Sequence, residues 1–68
     1  MEIIWVIENV KRSKDFYTKK FTLLLAASIT MWKRYHPNHK TVIYVDFITF
    51  NHYQKTPLFE LFDEVRIL

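Results

Sequence analysis

The 68-residue chain contains no glycine, no cysteine and only two prolines. Without glycine it cannot carry the glycine-rich phosphate loop, the GxGxxG turn or the GxSxG nucleophile elbow. Without cysteine it has no disulfide, no thiolate nucleophile and no cysteine-based zinc or iron–sulfur site. These absences exclude the enzyme classes that depend on such motifs. A chain without disulfides suits a reducing compartment, so we expect a cytoplasmic location.

The sequence also lacks an apolar run long enough to cross a membrane. The longest run, from Phe21 to Trp32, covers about twelve residues, whereas a spanning helix needs about 20. No basic segment precedes the apolar N-terminal stretch, so no signal peptide is predicted. We therefore expect no membrane partner.

Hydrophobic residues make up 50% of the chain and aromatic residues 18%, which is too apolar for a disordered segment. The net charge of +3 is mild, but basic residues are concentrated between Lys11 and Lys20. That segment could meet phosphate groups on nucleic acid, although a solvated loop is the simpler interpretation. Because acidic residues gather near the opposite end of the chain, no uniform basic face is predicted and no nucleic-acid partner is expected.

Three apolar segments predict three parallel strands. Glu2–Ile7 and Lys40–Ile48 are nearly unbroken apolar runs, which is typical of strands covered on both faces. Asp63–Leu68 is the third predicted strand. Because one helix fits between the first two strands, they are expected to form a right-handed β-α-β crossover.

Apolar side chains at intervals of three and four residues predict this helix. The residues expected on its buried face are Phe21, Leu24, Leu25, Ser28, Met31, Trp32 and Tyr35. Asp15 or Thr18 can cap the start of the helix, and Pro37 would end it. Ser28 lies among small residues that would let the helix approach the sheet, so we interpret it as a packing residue and not as a nucleophile.

Asn51–Gln54 is predicted to be a loop, and Thr56-Pro57 opens a short helix over Leu58–Phe62. The expected fold class is therefore α/β: a three-stranded parallel, Rossmann-like β-α-β-(short α)-β unit. We expect residues 1–68 to form a single partial unit, the first part of a larger fold. Such a unit, with only one full helix, would leave at least one sheet face poorly covered and both sheet edges bare.

Polar residues follow the first two predicted strands, where open parallel sheets bind their ligands. Asp46 is the leading candidate for nucleotide binding, because a carboxylate accepts hydrogen bonds from both ribose hydroxyls. Glu8, Asn9 and Tyr17 are the other candidates, and the tyrosine ring could stack on a base. Each of these residues also has a simpler structural interpretation, as a strand terminus or a packing residue. In the loop that leads to Tyr17, Lys11, Arg12 and Lys14 could approach a diphosphate, although nothing in the sequence fixes their geometry.

The sequence predicts no catalytic residue and no metal site. His36 and His39 are three residues apart, but Pro37 breaks the helix that would place them on one face, and no carboxylate has ligand spacing with them. His52 is distant in sequence. No acid, base or nucleophile pair can be assembled with any specificity.

Three stretches of the sequence carry a family resemblance: LLAASITMWKRYHP in the predicted helix, NHKTVIYVD in the second strand, and LFDEVRIL at the end. The matching positions are Ser28, Ile29, Trp32, Pro37, Asp46, Phe62, Asp63 and Val65. In this order of features the chain resembles the N-terminal segment of GT-A-type nucleotide-sugar glycosyltransferases. The resemblance covers roughly residues 2–68.

The resemblance implies binding of a UDP- or GDP-sugar, with Asp46, Glu8, Asn9 and Tyr17 near the nucleotide. It implies no cofactor in this segment. Mn²⁺ or Mg²⁺ is expected only in a full-length relative, because the family's Asp-x-Asp motif usually lies later in the chain and Tyr44-Val45-Asp46 supplies only one carboxylate.

Two hypotheses about function follow from these observations. The first is a glycosyltransferase-like fragment that contributes to nucleotide-sugar binding and is inactive alone. The alternative is a small complete α/β interaction module that forms a homodimer through its exposed sheet edge.

Overall fold

The computed structural model describes all 68 residues and contains three strands and two α-helices. Along the chain these elements are β1 (Glu2–Ile7), α1 (Lys19–Tyr35), β2 (Lys40–Val45), α2 (Phe47–Tyr53) and β3 (Glu64–Ile67). Two 3₁₀ segments, Lys14–Phe16 and Pro57–Leu61, precede α1 and β3. No helix combines the length and apolarity that crossing a membrane requires.

The three strands form one parallel sheet in the order β1-β2-β3. Ile4 lies opposite Val42, and Val42 lies opposite Glu64 on its other side. β1 and β2 are joined through α1, as the crossover requires. The predicted α/β class with a three-stranded parallel, Rossmann-like sheet is confirmed.

The start of α1 uses one of its two predicted caps. The Thr18 hydroxyl accepts a hydrogen bond from the backbone N–H of Phe21 at 3.0 Å, which satisfies one of the free donors of the first turn. Asp15 lies instead in the preceding 3₁₀ turn, which Ser13 caps. The helix ends at Tyr35, before Pro37, as predicted.

The buried face of α1 differs from the predicted one. Leu25 and Ile29 enter the core, and Phe21 and Trp32 are half-buried. Four residues expected to be buried are exposed: Leu24, Ser28, Met31 and Tyr35. The apolar stripe is wide enough for more than one orientation of the helix. In the structure α1 packs against both the sheet and the 3₁₀ helix Pro57–Leu61, and Ala26 is half-buried.

β2 ends at Val45, before the predicted end at Ile48, and a helix that was not predicted follows it. The side chain of Asp46 accepts a hydrogen bond from the Thr49 N–H at 3.0 Å, which makes it the N-cap of α2. The prediction of a loop over Asn51–Gln54 is therefore wrong, because the residues up to Tyr53 belong to α2. The short helix after Thr56 is present as a 3₁₀ helix, and Pro57 is its first residue, as predicted.

All the helices pack on one face of the sheet. They share one core with the sheet, made of Leu25, Ile29, Ile43, Val45, Tyr53, Leu58 and Phe62. On β1 this leaves Ile3, Trp5 and Ile7 half-buried, whereas Ile4 and Val6 face outward and are exposed. The prediction that β1 is covered on both faces is therefore wrong, because the unit has no helix for the second face.

Charged side chains partly cover this open face. Arg66 donates to the Tyr44 hydroxyl at 2.7 Å and to Glu2 at 3.3 Å, and it also pairs with Glu64. Lys40 reaches Glu64 at 3.1 Å. The hydrocarbon stems of such long side chains can cover apolar surface, which is consistent with the complete burial of Val42 at the centre of the sheet.

Candidate functional site

Two clefts open where the chain leaves β1 and β2, at the edge of the sheet where parallel α/β folds bind ligands. The first has a volume of about 460 Å³ and is lined by Glu8, Asn9, Val10, Lys11, Ser13, Asp15 and Phe16. The second has a volume of about 290 Å³ and is lined by Glu8, Asn9, Val10, Arg12, Asp46, Phe47 and Ile48. The structure thus brings three of the four candidate residues, Glu8, Asn9 and Asp46, to one place.

The Asp46 carboxylate joins the end of β1 to the start of α2. One oxygen accepts the Asn9 N–H at 3.1 Å, and the other accepts the Thr49 N–H at 3.0 Å. Burial alone would raise the pKa of Asp46, but hydrogen bonds from Thr49 and Asn9 outweigh it and lower the pKa below the usual value. Asp46 is therefore ionised at neutral pH.

The buried side chain of Asn9 closes the loop between β1 and the first 3₁₀ turn. Its amide nitrogen donates to the Ser13 carbonyl at 2.9 Å, and its amide oxygen accepts the Ser13 N–H at 3.1 Å. Inside this loop Arg12 has a φ of 52°, a left-handed conformation that costs a non-glycine residue of order 1 kcal/mol. The Arg12 N–H donates to the Asn9 carbonyl at 3.0 Å, so the loop is held in one shape.

Glu8 and Tyr17 occupy different positions relative to the clefts. Glu8 is exposed and lines both of them. Tyr17 lines neither cleft: its hydroxyl lies 2.8 Å from the Thr49 hydroxyl, and its ring stacks on His52 at a centroid distance of 4.1 Å. Tyr17 is therefore connected to Asp46 only through Thr49.

Phe47 lines the second cleft, although the sequence did not indicate it as a ligand-binding residue. The side chain of Phe47 is 64% exposed beside Asp46, although the sequence pattern placed it inside a strand. Arg12, which was expected to be able to approach a diphosphate, also lines this cleft. Asp46 is itself a preferred N-cap residue, and this is the signal that could have ended β2 earlier and predicted an exposed Phe47.

The residues around the clefts do not fit a divalent cation. No group of three His, Cys, Asp or Glu side chains lies close enough together to hold a metal ion. Glu8 and Asp46 are the only carboxylates of the second cleft, and both Asp46 oxygens already accept backbone N–H groups.

No protein-family model matches this chain, and no characterised protein or solved structure was found to be similar to it. The role of the clefts therefore rests on the chemistry of their own side chains.

Proposed function

We propose that this unit binds the nucleoside diphosphate part of a nucleotide-sugar, as the N-terminal part of a glycosyltransferase-like fold. The observation that carries the proposal is the meeting of Glu8, Asn9, Arg12, Asp46 and Phe47 around one cleft at the carboxyl ends of β1 and β2. Together with the adjoining first cleft, this cleft reaches the size range of small-molecule sites, roughly 300–1,000 Å³.

Each part of a nucleotide has a suitable group in the second cleft. The exposed ring of Phe47 offers a stacking surface for the base. The Glu8 carboxylate can accept hydrogen bonds from vicinal ribose hydroxyls, and the Arg12 guanidinium can pair with phosphate oxygens. Asp46 positions the loop through its hydrogen bond with the Asn9 N–H.

The proposed contribution is binding without catalysis. The clefts contain no group of three His, Cys, Asp or Glu side chains that could hold a metal ion. In glycosyltransferases of this type a metal ion held by an Asp-x-Asp motif neutralises the leaving diphosphate, and Tyr44-Val45-Asp46 supplies only one carboxylate. Acceptor binding and group transfer would fall to other parts of such a fold.

Calorimetric or NMR titration of the chain with UDP, GDP and a UDP-sugar tests the proposal. We expect a dissociation constant of about 0.1–1 mM for the preferred nucleotide, which is an ordinary value for a few contacts in an open site. Glu8→Gln and Phe47→Ala should each weaken binding by about tenfold.

Glu60→Gln is the matched control for Glu8→Gln, because Glu60 is also an exposed glutamate but lies in the 3₁₀ helix and lines neither cleft. It should leave the dissociation constant unchanged. No binding at about 10 mM nucleotide, or equal effects of the two glutamate variants, would contradict the proposed site.

A further inference from the structure

The two edges of the sheet are protected to different degrees. β3 is a four-residue strand that carries two charged residues, Glu64 and Arg66. β1 has six residues and is apolar from Ile3 to Ile7, with neither a charge nor a proline in that stretch. Soluble proteins protect exposed edges by charge, proline, bulges or short strands, so β1 has the edge that requires a partner.

The hydrogen bonds between β1 and β2 show which residues of β1 have backbone groups that face the free edge. The carbonyls of Met1 and Ile7 accept hydrogen bonds from Lys40 and Asp46, which shows that the odd-numbered residues direct their peptide groups toward β2. Alternate residues of a strand point to opposite sides, so the N–H and C=O groups of Glu2, Ile4 and Val6 face the free edge. These are the donors and acceptors available to another strand.

An exposed apolar stripe on α1 lies beside the same edge. It consists of Leu24, Ser28, Met31 and Tyr35, which follow one another at intervals of three and four residues. The Trp5 indole N–H donates to the Ser28 hydroxyl at 3.4 Å, which fixes the stripe on the β1 side of the sheet. The other flank of α1 faces β3, where Lys33 lies 3.7 Å from Asp63.

We propose that a second copy of this chain pairs with β1 about a two-fold axis, joining the two three-stranded sheets into one. The pairing is antiparallel, as a two-fold requires. In the favoured register Ile4 lies opposite the partner's Ile4, and Glu2 lies opposite the partner's Val6. All of these residues have free peptide groups, so each pair exchanges both of its hydrogen bonds.

Electrostatic repulsion disfavours the register in which Ile4 lies opposite the partner's Val6. Shifting the strands until Ile4 lies opposite the partner's Val6 would keep every side chain on the same face of the joined sheet, because side chains alternate with a period of two residues. That shift, however, would bring Glu2 opposite the partner's Glu8, and like charges directly opposite one another are destabilising. The register centred on Ile4 places no pair of charges opposite each other.

The same two-fold axis covers the stripe on α1. Both copies of α1 would lie on the same face of the joined sheet, with their stripes toward each other across the paired β1 strands. A stable interface buries about 800 Å² per partner, which is roughly one sixth of the 5066 Å² accessible surface of this chain. The six-residue edge strand and the stripe on the 17-residue helix are the two surfaces that would contribute to it.

Sedimentation equilibrium tests the proposal with variants matched across the two edges. We expect the wild-type chain to reach twice its 8.4 kDa mass with a dissociation constant of about 1–100 µM. Val6→Glu should raise that constant at least about tenfold, because it places a carboxylate opposite the partner's Glu2, whereas Ile67→Glu should leave it within about twofold. The two residues are similarly exposed, at 56% and 48%, but lie on opposite edge strands.

Leu24→Glu and Leu23→Glu provide the same comparison on α1. These residues are 60% and 59% exposed, but only Leu24 belongs to the stripe, so only Leu24→Glu should weaken the dimer. A wild-type chain that remains monomeric at about 1 mM, or equal effects at Val6 and Ile67, would overturn the proposal.

The register is tested by crosslinking, since the chain has no cysteine of its own. Ile4→Cys is a mild change at an exposed site, and a short bis-maleimide should link two copies of it efficiently. Ile67→Cys, on the opposite edge strand, should link poorly. Equal linking at both sites would overturn the register and the edge. These measurements contain no nucleotide, so their outcome is independent of the proposed nucleotide binding.

Discussion

The carboxylate of Asp46 makes two structural hydrogen bonds, and we predict that Asp46→Ala destabilises the chain by about 3 kcal/mol. Loss of the N-cap of α2 accounts for about 1 kcal/mol of this effect. Loss of the charged acceptor of the Asn9 N–H accounts for about 2 kcal/mol more. A chain of 68 residues is expected to have a total stability of only about 3–10 kcal/mol, so the change is large.

Urea denaturation followed by far-UV circular dichroism measures this free energy. Asp46→Ser separates the two contributions, because serine keeps a capping oxygen but is too short to reach Asn9, and it should therefore lose about 2 kcal/mol. Asp15→Ala is the control: Asp15 is exposed and caps no helix, so its replacement should change stability by less than about 0.5 kcal/mol.

The pH dependence supplies an independent check of the same carboxylate. Because the folded pKa of Asp46 is lower than the usual 3.8, its contribution is complete above that value and is lost as the pH falls through the folded pKa. Wild type and Asp46→Ala should therefore converge in stability in strong acid. A neutral-pH loss below about 1 kcal/mol, or a difference that persists unchanged in acid, would refute the structural role assigned to Asp46.

Three other side chains give predictions in the same denaturation assay. Asp63 accepts hydrogen bonds from the N–H and the hydroxyl of Thr41, which lower its pKa, so Asp63→Ala should cost about 1 kcal/mol at neutral pH and nothing in strong acid; a pH-independent loss would contradict this. Ile29→Ala, at a fully buried site, should cost about 2–5 kcal/mol, against less than about 0.5 kcal/mol for Leu23→Ala, and similar losses at both sites would refute the observed face of α1. The buried indole N–H of Trp32 has no hydrogen-bond partner, so Trp32→Phe should cost less than about 1.5 kcal/mol, and a larger loss would mean that the N–H is bonded.

The candidate site was partly predictable from the sequence. Strand ends can be located from hydrophobicity, and parallel strands bring their carboxyl ends to one edge, so Glu8, Asn9 and Asp46 were expected together. Tyr17 could not be placed in this way, because its contact with Thr49 depends on α2, which the sequence pattern did not predict. Phe47 was missed for the same reason.

The orientation of α1 could not be predicted from hydrophobic periodicity. Apolar residues occur on two adjoining stripes of this helix, one through Leu25 and Ile29 and the other through Leu24 and Met31. Helical spacing predicts the helix from either stripe but does not say which one is buried. The contacts with the sheet and with the 3₁₀ helix Pro57–Leu61 make that choice.

The sequence by itself determined the local elements of this protein: the apolar runs of the three strands, the Thr18 cap, the stop before Pro37, and the turn at Thr56-Pro57. These depend on side chains and backbone groups within a few residues of one another. Only the tertiary structure decided that Asp46 caps a second helix and holds Asn9, and that Ile4 and Val6 are the β1 side chains on the poorly covered face of the sheet. Such features depend on residues distant in sequence, and on how few helices are present to cover the sheet.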